Sequence, residues 1–287
     1  YAFRRSIFYP YNGDSRKLPD STARFHFLSK IREIGFDGIE LSLEALGGLN
    51  ATEQKVRELG SELDSNGTPC VAIRGGGALC RPTTSDHNSL TLEKSVQIAH
   101  WIGAEIVNTS LSSKPRDPRT SGPIYVNLSS VGKSTSEGSS QSATSDDFDR
   151  TSLRLREAGK QAGDYGLKIT IELHQHSIVD NSWSALRILE LTDSPHVFIN
   201  PDLGNVFWNY DQPEETMETT ILTLATRSAY WHCKNLHRIN VPEMESSYFV
   251  RVPLPDGDLD YRFAISAMID ADYDGFLAIE GATAGDA

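Results

Sequence analysis

The chain has 287 residues, of which 38% are hydrophobic and 23% charged; that is enough apolar material for a large core and excludes global disorder. Its 27 Lys and Arg stand against 39 Asp and Glu, a formal charge of −12; this balance would repel a polyphosphate backbone, and no basic cluster offsets it, so no nucleic-acid partner is expected. No window approaches the ~20 apolar residues of a membrane span, and Arg4-Arg5-Ser-Ile-Phe-Tyr-Pro is too short for a signal-peptide core, so a cytoplasmic protein with no membrane partner is expected.

Short β-branched runs alternate with helical stretches along the whole chain, the pattern of βα units on a parallel sheet. The strands predicted are 3–8, 38–43, 69–74, 105–109, 168–173, 197–201, 230–234 and 275–279. Helices are predicted over 22–34, 51–63, 90–101, 147–165, 182–191, 214–226 and 261–269. In the first, Phe25, Leu28 and Ile31 with Phe27 and Ile34 make an apolar stripe, Ser21 or Asp20 can cap the start, and Gly35 ends it. Eight strands with a helix between each successive pair predict one α/β domain over residues 1–287, a (β/α)8 TIM barrel.

Glu33-Ile-Gly-Phe-Asp-Gly-Ile-Glu near the start is echoed by Asp270-Ala-Asp-Tyr-Asp-Gly-Phe-Leu-Ala-Ile-Glu near the end. Each is a helix stop, an aromatic-Asp-Gly turn whose glycine would supply an unusual backbone angle, and a strand ending in Glu. The segment 112–147 is rich in Ser, Thr, Gly and Pro and is expected to be a long loop after strand four, either a lid or partner-docking loop or a passive insertion.

Functional groups of a parallel barrel gather at the C-terminal strand ends. Alternation on strand five puts Ile169, Ile171 and Leu173 towards the helices and Thr170, Glu172 and His174 inward. Strands six, seven and eight deliver Asp202, His232 with Lys234 two residues on, and Glu280. Three carboxylates and an imidazole converging in a half-buried cup would cost several kcal/mol each if uncompensated. A divalent cation resolves that repulsion, and an oxygen-rich, thiolate-free donor set suits Mn²⁺ foremost, then Mg²⁺ or Co²⁺. Cys233 beside His232 points to the opposite strand face, and Cys70, Cys80 and Cys233 show no C-x-x-C spacing, so neither a thiol nucleophile nor a disulfide framework is expected.

Gly35-Phe-Asp-Gly-Ile-Glu, Ile171-Glu-Leu-His, Asn200-Pro-Asp-Leu-Gly-Asn, Trp231-His-Cys-Lys-Asn, Gly257-Asp-Leu-Asp-Tyr and Tyr273-Asp-Gly-Phe-Leu-Ala-Ile-Glu resemble, in order and spacing, the xylose-isomerase-like TIM-barrel superfamily of sugar isomerases and epimerases. The resemblance implies that Glu172, Asp202, His232 and Glu280 are the metal ligands and, from the ketose 3-epimerases, that the two glutamates act as acid and base. It also implies a substrate contact from Arg238, six residues after His232. Asn205 departs from the pattern, because those epimerases and the endonuclease IV branch place a His there; this argues against the endonuclease, which needs extra histidines. The substrate-facing candidates are therefore Arg238, Lys234 and Asn205.

The expected chemistry is abstraction of a proton next to a carbonyl to give an enediolate stabilised by the ion, then reprotonation. His174 is a rival base to Glu172 and Glu280. A second reading is a lyase on an oxidised, 3-oxo sugar glycoside, like C-glycoside deglycosidase catalytic subunits that work with a smaller partner. The mouth aromatics Tyr9, Tyr11, Phe207 and Trp208 would stack on a sugar or aglycone ring. A third is a barrel that binds metal and sugar without turnover. A homo-oligomer is expected for the isomerase, a hetero-oligomer for the lyase.

Overall fold

The structure, a computed structural model, describes residues 1–4, 18–111, 124–126, 129–133, 139–208, 214–244 and 246–280. Tyr9 and Tyr11 lie outside them. In chain order the elements are β1 (Ala2–Arg4), α1 (Ser21–Ile34), β2 (Gly38–Ser42), α2 (Glu53–Ser65), β3 (Cys70–Arg74), α3 (Ser85–Ile102) and β4 (Ile106–Ser110). They continue with β5 (Ile124–Val126), β6 (Ser129–Lys133), α4 (Ser145–Asp164), β7 (Lys168–Glu172), α5 (Ser182–Thr192), β8 (Val197–Asn200) and α6 (Leu203–Phe207). The last are α7 (Met217–Leu224), β9 (Trp231–Cys233), β10 (Asn235–Val241), β11 (Ser246–Val252), α8 (Tyr261–Asp270) and β12 (Leu277–Glu280).

Eight strands pair in the order β8-β7-β4-β3-β2-β1-β12-β9, all parallel. A parallel bridge between Ile199 and Ser228, just before β9, joins the two ends, so the sheet closes into the expected barrel. Seven of the predicted strands are present, and of the first, predicted over 3–8, residues 3 and 4 lie in β1 while 5–8 lie outside the described residues. The side chains follow the alternation: Ile169, Ile171 and Leu173 pack in the sheet-helix layer with Leu28, Ile31, Val96 and Leu155. Ala2, Ala72, Ile106, Tyr230 and Ala278 fill a separate cluster that closes the barrel floor.

Helix α1 illustrates the local physics. The Asp20 carboxylate accepts from the Ala23 N–H at 2.9 Å, and Gly35 ends the helix in the left-handed region at φ 105°. The buried stripe is Phe27, Leu28 and Ile31, whereas Phe25 and Ile34 are more than half exposed, a narrower face than the sequence pattern implied. The two Asp-Gly turns also work differently from expectation. A Cβ on Gly38 would lie 2.5 Å from Val71 Cγ1, and one on Gly275 would lie 2.5 Å from the Tyr273 hydroxyl. These glycines permit close packing beneath the strand starts; the left-handed angle is taken by Gly35 and Asp272.

The region 112–147 is not a plain loop. Its β5 and β6 join β10 and β11 in a four-stranded antiparallel sheet, order β10-β11-β6-β5. The sheet sits at the C-terminal end of the barrel strands, because β10 starts two residues after β9 ends. Leu236 and Phe249, on its inner face, pack fully buried on Trp208.

Candidate metal centre

Glu172 is the last residue of β7 and Glu280 the last of β12, while His232 is the middle residue of β9. Asp202 is the N-cap of the short α6, its side chain accepting from the Asn205 N–H. Each thus reaches the mouth by inward parity or from the first turn beyond a strand. One ligand atom from each of the four lies within 4.8 Å of all the others. The Nδ1 of His232 is 3.4 Å from a Glu172 carboxylate oxygen and 4.0 Å from one of Glu280.

Beneath the ligands lies a fully buried polar layer. Asn108, on β4, donates to Glu172 at 3.1 Å and accepts from Thr170 at 3.0 Å and Asn200 at 3.1 Å. Asn200 in turn accepts from the His232 backbone N–H at 2.7 Å. The inventory closes on itself: each amide donates to one neighbour and accepts from others, so this layer orients the ligand strands without leaving a polar group stranded by them.

The substrate-facing candidates divide. Lys234 is buried, with its ammonium 2.7 Å from Asp202, 2.8 Å from the Asn205 side-chain oxygen and 3.2 Å from Glu280. Its stem passes over Gly204, where a Cβ would fall 2.5 Å from Lys234 Cγ. Asn205 is also buried; its amide donates to Leu173 O at 2.8 Å, Asp202 at 3.0 Å and Glu172 at 3.2 Å. Both residues therefore sit among the ligand carboxylates. Arg238 lies instead on β10, its guanidinium 4.9 Å from the Phe207 ring centre and one buried nitrogen without a hydrogen-bond partner among the described residues. Trp208 is packed away, with Lys234 5.6 Å from its ring centre.

His174 stands beyond Glu172, its Nδ1 2.8 Å from Gln175 O. With Glu44, Arg74, Ser110, Glu172 and the loop Gly75-Gly76-Gly77 it lines a cleft of about 260 Å³. Burial lowers the His174 pKa below the usual imidazole value, the Glu172 carboxylate pulling the other way. A larger groove of about 980 Å³ between α5 and residues 226–227 contains none of the ligand residues and is remote from this chemistry. Cys233 packs towards the helices, and burial pushes its thiol up, so it offers no nucleophile.

Sequence reasoning passed over Glu40 as a site residue. It ends the first of the two echoed Asp-Gly segments, and its carboxylate is 2.8 Å from His232 Nε2. Arg74 lies 3.8 Å from its other oxygen. Four buried or nearly buried carboxylates, Glu40, Glu172, Asp202 and Glu280, thus face Lys234 and the more distant Arg74. Within this group of side chains a formal excess of two negative charges remains with His232 neutral. Part of the strain shows at Asp202, whose pKa burial pushes up while Lys234 pulls it back. A divalent ion fits this donor set in both charge and kind, since it offsets the excess negative charge and takes carboxylate oxygens and an imidazole nitrogen as donors.

A family model described as a xylose isomerase-like TIM barrel matches residues 28–286. Inosose dehydratase of Clostridium perfringens is 23% identical over 135 residues, 44% of each chain; the match thus spans less than half the length of that relative. A xylose isomerase-like TIM barrel protein from Mycobacterium smegmatis, solved in complex with magnesium, superposes with a TM-score of 0.73 at 20% identity, covering 91% of this chain and 82% of the other. The 3-keto-D-glucoside 4-epimerase of E. coli does so at 0.67 and 16% identity, covering 99% and 93%.

Proposed function

The chain belongs to the xylose isomerase-like TIM barrel family, and from that premise we propose that it is a divalent-metal-dependent enzyme, using Mn²⁺ foremost, that epimerises or isomerises a sugar next to a carbonyl. The observation that carries the reading is the convergence of Glu172, Asp202, His232 and Glu280 within 4.8 Å at the strand ends, beside a cleft open to a small molecule. When bound, the ion polarises the substrate carbonyl and offsets the charge that develops on its oxygen.

The chain's own residues supply the rest. His174 lies in the cleft wall, and its lowered pKa keeps the imidazole neutral near pH 7, so it can accept the α-proton. Glu172 and Glu280 come from strands three places apart in the barrel order, so they flank a bound sugar from two sides and can take or return a proton. Lys234 and Asn205 hold those carboxylates in place and present N–H groups to substrate oxygens. Arg238, with its buried nitrogen beside Phe207, orients the far end of the sugar.

A lyase reading shares the first step. There the electron pair left by proton removal expels a β-leaving group, which would take up the proton that the base has removed. It is favoured by the likeness to an inosose dehydratase and by a neighbour whose named substrate, a 3-keto-D-glucoside, is an oxidised sugar. The test is incubation with Mn²⁺ and a panel of ketoses, inososes and 3-oxo-glycosides in D₂O. Deuterium in a recovered epimer supports the epimerase; dehydrated product or free aglycone transfers the assignment to the lyase. Ion binding without turnover of any substrate would leave only a binding barrel.

A further inference from the structure

The contact between Glu40 and His232 carries a consequence for ion binding. β1 pairs with β2 on one side and with β12 on the other, and Arg4 is in register with both Glu40 and Glu280. The two echoed segments therefore end in carboxylates at one level of the barrel, with one strand, β1, between them. Glu280 approaches the Nδ1 side of His232 at 4.0 Å, whereas Glu40 meets the Nε2 side at 2.8 Å. His232 is fully buried and Glu40 is 2% exposed, so water does not compete for this bond.

An imidazole can use only one nitrogen as a lone-pair donor, and which one is decided by the hydrogen bond at the other. A lone pair on Nε2 facing the Glu40 carboxylate at this distance would be repulsive, so Nε2 carries the proton and donates. A second polar neighbour on that side, the Asn108 amide at 3.5 Å, is itself a donor and is already given to Glu172 at 3.1 Å. Asn200 fixes the His232 backbone, and Tyr230 packs edge-on against the ring with centroids 5.3 Å apart.

Resting on the metal-site reading above, we propose that Glu40 is the positioning residue of the centre: it holds His232 as the Nε2–H tautomer, with Nδ1 turned to Glu172 and Glu280, and so sets the ion affinity without being a ligand. Arg74, 3.8 Å away and lining the cleft, keeps the Glu40 carboxylate oriented. The remaining buried charge of Glu40 adds to the attraction for a dication.

The test is calorimetric titration with Mn²⁺, together with the visible absorption of the Co²⁺-loaded protein, on the parent chain and on E40Q, E40A and H232A. Glu40→Gln keeps an acceptor for Nε2–H in nearly the same volume, so the fold and the Co²⁺ spectrum should persist, with a loss in affinity of less than about tenfold. Glu40→Ala removes the acceptor, and affinity should fall about 10–100-fold, with a Co²⁺ spectrum shifted towards that of H232A. Circular dichroism separates this from unfolding; if the Ala variant fails to fold, Glu40→Leu, which fills the volume without an acceptor, takes its place. Equal Mn²⁺ affinity in parent and acceptor-free variants would overturn the role of Glu40. A parent chain that binds no ion would instead overturn the metal-site reading itself.

Discussion

At the scale of single residues, the four candidate ligands were legible because strand parity and strand-end position are properties of sequence. Their supports were less so. Glu40 was visible as a strand residue that closes an Asp-Gly segment, but its partner His232 is 192 residues away, and only barrel closure brings them together. Gly204 is similar: in sequence it reads as one more loop glycine, yet in space it is the floor under the Lys234 stem. Gly204→Ala should therefore force Lys234 off Asp202, costing about 1–3 kcal/mol of stability by overpacking and weakening ion binding, as read by denaturant melts and calorimetry. His174 gives a second expectation. Its pKa is lowered by burial, so the neutral base persists as the solution is acidified, and the acidic limb of the kcat profile should lie below the ordinary imidazole value of about 6.5. His174→Asn should remove that limb while leaving calorimetric ion binding in place; an unchanged profile would shift the base role to a glutamate.

At the scale of elements, the barrel strands were readable because each is a compact β-branched run between helices, and the helices because their apolar spacing is regular. The antiparallel sheet was not. β10 begins only two residues past β9 and reads as a continuation of it, while β5 and β6 lie in a Ser- and Gly-rich stretch whose pairing is with distant β11. What makes β10 and β11 a sheet is burial of Leu236 and Phe249 against Trp208, a contact no local pattern announces. That packing has a functional corollary. Arg238 is directly opposite Phe249 in the ladder, so the two share a sheet face, and Phe249 is an edge-to-face neighbour of Phe207 beneath the guanidinium. Phe249→Ala should cost about 3–5 kcal/mol and, under conditions where the variant is folded, raise KM more than it lowers kcat. Steady-state kinetics on the identified substrate would separate this from damage to the metal ligands, which would lower kcat and ion affinity together.

At the scale of the whole molecule, the ion-free barrel contains buried acid that it binds as protonated groups more tightly than an unfolded chain does. Asp180, mostly buried and accepting the Ser140 N–H at 3.2 Å, is pushed up to about 6 by desolvation, and Asp202 is raised by the same cause. For both, the folded pKa exceeds the unfolded one, so the native state binds more protons in the interval between them and stability falls as pH rises through it. For Asp180 that interval runs from about 4 to 6, and the loss amounts to at most about 3 kcal/mol. Metal and pH are then distinguishable in one experiment. Thermal melts of the ion-free protein should decline from pH 5 to 8; Asp180→Asn should flatten the part below pH 6 whether or not metal is present. Saturating Mn²⁺ should add about 2.7 kcal/mol at a hundred times its Kd, a rise of several degrees in Tm. At a fixed Mn²⁺ concentration that gain should grow with pH, because Asp202 must give up its proton to serve as a ligand. A metal increment independent of pH would mean that Asp202 is already ionised in the empty site, with Lys234 rather than a proton as its counterion.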